Sequence, residues 1–178
     1  MTPQEFDAVF DSFRESAFRL ETLPVYLDDS ETEEFAFFLA GKPLPERSAR
    51  TDPWLRRVAD STAAGKRWSR VHVVRHPLTD YLRFELLGYE GNVASGEDVR
   101  VASRDVHPVL DGLQQDFWLF DGDSGRPFAL LMGYDSSGRL RDVKQTSDPT
   151  VIERCQRERD LAVACSIPLH EYPAALET

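Results

Sequence analysis

Cysteine is scarce in this chain: 178 residues contain two, Cys155 and Cys165. Both fall on one expected helix, ten positions apart, which at the α-helical rise is about 15 Å and beyond the reach of a disulfide. There is no C-x-x-C pair, and no two of the four histidines (His72, His76, His107 and His170) lie at metal spacing on an expected helix. No metal and no cofactor are therefore expected. Positive charge is also short, because 21 Lys+Arg against 31 Asp+Glu leaves −10. That balance is wrong for a phosphate-binding surface or an anionic membrane, so neither direct nucleic-acid binding nor membrane association is expected. No apolar run approaches the ~18 residues of a membrane span. The opening residues have neither the basic nor the apolar region of a secretion signal, and with so little cysteine the expected compartment is the cytoplasm. The nucleophile elbow G-x-S-x-G and the phosphate-cradling patterns G-x-G-x-x-G and G-x-x-x-x-G-K-[ST] are missing as well.

A hydrophobic share of 41%, with 11% aromatics, is enough for a packed core. The length suits a single domain over residues 1–178, with a helical part to about residue 65 and a mixed-sheet part after it. Thr2, Pro3 and Glu5 spell a capping box, and Phe6, Val9, Phe10, Phe13 and Ala17 follow at helical spacing. Leu20 to Tyr26 reads as short extended or irregular chain interrupted by Pro24. Ser30 and Glu33 suggest a second capping box, closed by Gly41. Asp52-Pro53 opens a third helix that runs to about Ala64.

Val71 to Val74 is an apolar run that suits a strand covered on both faces. A helix is expected over Thr79–Val93 and a second strand over Glu97–Ala102, which together make a βαβ unit with a parallel pair. Asp116–Phe120, Pro127–Tyr134 and Leu140–Gln145, joined by Asp/Gly turns, make an antiparallel meander. Asp148-Pro149 caps a final helix through about Ser166. The expected class is α/β with α+β character: N-terminal helices packed on a mixed sheet, a βαβ unit, a meander and a C-terminal helix.

The densest polar set follows the first confident strand, where open α/β sheets tend to bind ligands. Arg75, His76, Asp80 and Arg83 could form a pocket there for a small anionic ligand or a peptide. Glu85 shares a helix face with Tyr81, while Asn92 and Glu97 close the same unit, and Asp116 is taken with them as a candidate. The bland alternative is helix capping and surface ion pairs. No residue is assigned a catalytic role. An enzyme of unrecognised type, a hydrolase or transferase, remains open, with His76 as base, Asp80 orienting it and an arginine binding an anion.

At Pro77–Glu85, Gly96–Arg100, Asp116–Asp121 and the Asp148 helix ending in Ile167-Pro168-Leu169, the chain resembles an actinobacterial family known only as a domain of unknown function. Genes of that family often lie beside Xre-type helix-turn-helix regulators. The second half is also similar to a truncated phospholipase-D-like sensor module, but the His-x-Lys signature of the active enzymes is missing after every histidine. The resemblance implies a non-catalytic accessory or sensor protein that binds such a regulator or a small ligand. An acidic protein suits a basic DNA-binding partner, since complementary fields speed encounter.

Overall fold

The computed structural model describes residues 1–172. Helix α1 (Pro3–Ser12) starts from the expected capping box: Thr2 Oγ1 accepts from the Glu5 N–H, and Glu5 accepts from the Thr2 N–H. It stops at Ser12, earlier than the apolar spacing suggests. Phe13 turns out into extended backbone, and Ala17 lies on strand β1 (Ser16–Glu21). Asp121 enforces that break, because its carboxylate accepts the backbone N–H groups of Arg14, Glu15 and Ser16 at 2.7–3.1 Å.

The expected capping box at Ser30 and Glu33 is not formed. Asp28 caps a single 3-10 turn (Asp29–Glu31), and α2 (Thr32–Leu39) grows from it. Helix α3 (Pro53–Ala63) is capped by Asp52 as expected. Strand β2 (Arg67–Val74), helix α4 (Asp80–Ala94) and strand β3 (Glu97–Ser103) complete the βαβ unit. The meander is β4 (Asp116–Phe120), β5 (Phe128–Tyr134) and β6 (Leu140–Thr146). Helix α5 (Pro149–Ala164), capped by Asp148, leads into a short strand β7 (Ser166–Pro168) that the expected longer helix had hidden.

All seven strands form one mixed sheet in the order β6-β5-β4-β1-β2-β3-β7. The pairs β1–β2 and β2–β3 are parallel and the others antiparallel. The central strand, β1, thus starts within the expected end of the first helix and reaches only the first two residues of the expected extended or irregular piece, so a strand lies in the part before residue 65.

Each face of the sheet has its own cover. On one face Phe18, Leu20, Val71, Val73, Phe117 and Leu119 pack against Ile152, Cys155 and Ala162 of α5. On the other, α1 and α3 press Val9, Phe10 and Val58 onto Ala17, Trp68, Trp118 and Phe120. The Phe10 ring meets Phe6, Trp54, Trp118 and Phe120 edge-on at 4.9–5.6 Å, a geometry that adds about 0.5–1.5 kcal/mol per pair to the gain from burial. Further along the same face, α4 packs Leu82, Leu86 and Tyr89 on Val74, Val99 and Val101. Helices α3 and α4, from the two parallel crossovers, lie on one side of the sheet, and a gap opens between them and α1 above β1. No described helix is long and apolar enough to cross a membrane.

The β5–β6 turn closes over one end of that gap. Gly138 has φ +84°, its carbonyl accepts from the Leu27 N–H at 3.0 Å, and a Cβ there would collide with the Val25 carbonyl oxygen. Gly138→Ala combines a left-handed backbone with a backbone clash, so we expect a loss of roughly 2 kcal/mol or more by chemical denaturation. Unchanged stability would show that the turn does not rest on this segment.

Candidate functional site

Strand alternation puts Ala17, Arg19 and Glu21 of β1 on the face carrying α1, α3 and α4, beside Trp68, Arg70 and His72 of β2. Trp118 pairs opposite Arg19, with Asp116 two residues along β4, and Glu97 opens β3 opposite Trp68. A sheet face under helices is ordinarily apolar. Here Arg19, Glu21, Arg70, His72, Glu97 and Asp116 are all buried in its middle. Isolated charges are expensive to bury, so each must find a partner.

Most do. The Asp116 carboxylate accepts from the Thr22 N–H and hydroxyl at 2.9 and 2.6 Å, from the Tyr26 hydroxyl at 2.6 Å and from Arg19 Nη2 at 3.0 Å. Glu97 accepts from Arg70 Nε and from Asn92 Nδ2, both at 2.6 Å. Glu21 lies between the two guanidinium groups, 3.4 Å from Arg19 Nε and 3.2 Å from Arg70 Nη1. Burial alone would raise its pKa, but Arg70 and then Arg19 overcome it and hold the carboxyl at about 2.

Helix α4 presents Tyr81, Glu85, Tyr89 and Asn92 to this row on one face. The Tyr89 hydroxyl is 2.6 Å from Glu21 Oε2, 2.9 Å from Glu85 Oε1 and 3.0 Å from His72 Nδ1. His72 Nε2 is 3.1 Å from the Leu23 carbonyl oxygen, which can only accept, so that nitrogen carries the proton. Burial lowers the His72 pKa, against the pull of Glu21, and the ring is neutral with Nδ1 an acceptor. One tyrosine proton then faces three acceptors. Glu85 relieves the shortage by keeping its own proton: burial, and then the Glu21 charge, raise its pKa well above the ordinary value.

Above this floor lies a cavity of about 1000 Å³. The segments carrying Tyr26 to Glu31 and Leu44 to Arg47 contribute to its walls, as do the aromatic faces of Trp54, Tyr81, Trp118 and Tyr134. Three lining side chains, Arg19, Glu85 and Asn92, each carry a buried polar atom with no hydrogen-bond partner among the described residues: Arg19 Nη1, Glu85 Oε2 and Asn92 Oδ1. Arg19 and Asn92 are 4% and 2% exposed, and buried polar atoms are ordinarily hydrogen-bonded. The volume suits a small molecule.

Glu21, His72 and Glu85 could hold a metal ion, since their ligand atoms lie within 4.8 Å of one another. The His72 Nε2–H bond to a carbonyl is also the usual way a metal-ligating histidine is oriented. Two features oppose this: the Tyr89 hydroxyl already meets Nδ1, and two guanidinium groups already neutralise Glu21. The trio behaves as a proton-sharing network.

The expected site residues divide. Glu85, Asn92, Glu97 and Asp116 all belong to the buried network. Arg75, His76, Asp80 and Arg83 do not line the cavity; their side chains are exposed, at 55%, 42%, 62% and 45%. Arg75 pairs with Asp111, His76 with Asp105 and the Tyr172 hydroxyl, and Arg83 with Asp80. They form no pocket because both parallel crossovers return over the same face, so no crevice opens beyond the strand ends as it does where strand order reverses. Sequence reading missed Arg19, Glu21, Arg70, Tyr26 and Tyr89. The available signal was the alternation Ala17-x-Arg19-x-Glu21 beside Trp68-x-Arg70-x-His72, which puts charge on an inward face.

A family model described as a domain of unknown function (DUF6879) matches residues 4–174, and the chain belongs to that family. No curated protein matches the chain.

The two glutamates make opposite contributions to stability. Glu85, with a raised folded pKa, stabilises the fold below the ordinary carboxyl value near 4.3, and that contribution is lost as pH rises toward the folded value. Glu21, with a lowered one, stabilises above that ordinary value, and its contribution is lost as pH falls toward about 2. We expect Glu85→Gln to abolish the decline in melting temperature of the native chain from about pH 5 upward. Glu21→Gln should lose about 1.5–3 kcal/mol at neutral pH, because Arg19 and Arg70 each lose a charge-assisted hydrogen bond while keeping Asp116 and Glu97. An unchanged pH slope in Glu85→Gln would show that Glu85 is an ordinary surface carboxylate.

Proposed function

We propose that this protein is a non-catalytic binding module, a cytoplasmic accessory or sensor protein that holds a small polar molecule in the cavity between the sheet and α1, α3 and α4. One observation carries the reading: three side chains that line one cavity, Arg19, Glu85 and Asn92, each carry a buried polar atom without a hydrogen-bond partner among the described residues. A fold that needed only stability would satisfy such atoms or replace them with apolar groups. Occupancy would be passed to a protein partner, and the sequence resemblance makes that partner a helix-turn-helix regulator. The acidic balance of −10 suits a basic DNA-binding protein. The likeness of the second half to a non-catalytic phospholipase-D-like sensor points the same way.

The cavity walls support a signal. Residues Tyr26 to Glu31 lie between the cavity and the surface, tied to the β5–β6 turn by Arg139–Asp29 and to α4 by Tyr81–Glu31. A ligand that tightened these links would alter an exposed surface. A hydrolase or transferase built on His76, Asp80 and Arg83 draws no comparable support, since these side chains are exposed and engaged in separate pairs.

The test is a thermal-shift screen of polar metabolites against the native chain and the Arg19→Lys and Asn92→Leu variants. A cognate ligand at about a hundred times its Kd should stabilise the native chain by roughly 2.7 kcal/mol, be recovered unchanged, and lose its effect in both variants. Equal shifts in native chain and variants, or turnover of the compound, would contradict the reading.

A further inference from the structure

The charges around the cavity do not balance, and their imbalance describes the ligand. Eight lining residues carry carboxyl groups and four carry guanidinium groups. Every one of those arginines is already engaged. Arg139 pairs with Asp29, Arg47 with Asp52, Arg70 with Glu21 and Glu97, and Arg19 with Asp116 and Glu21. The surplus is therefore carboxyl, and it includes the half-buried Glu85 and Glu31. Neither has a lysine or arginine within ion-pair distance among the described residues. Each is held by a tyrosine hydroxyl instead, Glu85 by Tyr89 and Glu31 by Tyr81. Burial pushes the pKa of both upward, as befits carboxyl groups that lack a cation.

Two further features complete the complementarity. Nine of the lining residues are aromatic, and ring faces in a desolvated site attract organic cations. The orphan Arg19 Nη1, in contrast, is a donor, and requires an acceptor on the ligand.

We propose that the cavity takes a small organic cation bearing an acceptor group, of the basic amino acid or amino amide class, its cationic nitrogen on Glu85 and Glu31 and its carboxylate or carbonyl on Arg19 Nη1. This deepens the binding reading above and rests on it. A cation arriving at Glu85 favours the ionised carboxylate, so the proton held there leaves as the ligand enters. Binding is therefore coupled to proton release. The ligand cation then takes the place of that proton at Glu85, which shares the Tyr89 hydroxyl with Glu21 and His72.

The experiment is isothermal titration calorimetry of the full chain near pH 7 with three probes: L-arginine, agmatine and glutarate. L-Arginine has cation and acceptor, agmatine has the cation without the carboxylate, and glutarate has carboxylates without the cation. The expected order is L-arginine tighter than agmatine, with glutarate silent. The L-arginine heats should differ between phosphate and Tris buffers in the sense of net proton release. Glu85→Gln replaces one neutral side chain with another of the same shape, so the fold is kept, as its melting temperature would verify. This variant should bind L-arginine about tenfold more weakly, and its heats should be independent of buffer.

Glutarate binding in the cavity with both cations silent would overturn the cation assignment while leaving a small-molecule site in place. Cation binding that is indifferent to Glu85→Gln would overturn it too, by placing the cation elsewhere. Silence of all three probes would overturn the proposed class. The binding reading itself fails separately, if no compound of the thermal-shift screen distinguishes the native chain from Arg19→Lys and Asn92→Leu.

Discussion

Glu21 lies between Arg19 and Arg70, and the helical face of the sheet is arranged around that contact. The two guanidinium groups hold Glu21 ionised in a buried setting, and each then needs a second carboxylate of its own. Arg19 finds Asp116 on β4 and Arg70 finds Glu97 on β3. The row thus crosses four adjacent strands, β4, β1, β2 and β3, and ties the meander to the parallel unit. Removing one member leaves a buried charge without compensation, which is far more costly than the pair is worth. Such a row adds little stability over an apolar face of the same shape, so its presence is better explained by what it does than by what it stabilises.

What it does follows from where the helices lie. Helices α1 and α3 cover one end of the face with an aromatic cluster, and α4 covers the other with leucines and Tyr89. Between them the cavity sits over the charged row. The carboxyl groups on the α4 side outnumber the cations available to them. Glu85 and Glu31 settle for tyrosine hydroxyls, and Arg19 retains one donor without an acceptor. The cavity thus joins a buried polar network to aromatic walls.

Much of the fold was legible in the sequence, because local chemistry and tertiary packing agree there. Thr2 with Glu5, Asp52-Pro53, Thr79 and Asp148-Pro149 all cap helices where their residue types say they should. The apolar run at Val71–Val74 is a strand covered on both faces. The failures occur where a distant residue overrides the local pattern. The Phe13 and Ala17 spacing favours a longer α1, but Asp121, more than a hundred residues away, captures three successive N–H groups and starts β1. The same capture starts the central strand at Ser16, where the apolar spacing alone favours helix through Ala17. For the site, helix periodicity puts Glu85 on one face with Tyr81, and both lie on α4, as does Asn92. The rule that ligands bind beyond strand ends drew attention instead to Arg75 and His76, which the fold leaves outside.

Glu85 is held by a tyrosine hydroxyl instead of a cation, and burial, then the Glu21 charge, raise its pKa well above the ordinary value. The most direct measurement is a carboxyl ¹³C NMR titration of glutamate side chains in the native chain, with Glu85→Gln assigning the resonance. The account predicts that Glu85 titrates well above the ordinary glutamate range and moves down when a cationic ligand is bound, while Glu21 stays ionised until near pH 2. A Glu85 resonance that titrates at the ordinary value near 4.3, with or without ligand, would contradict it.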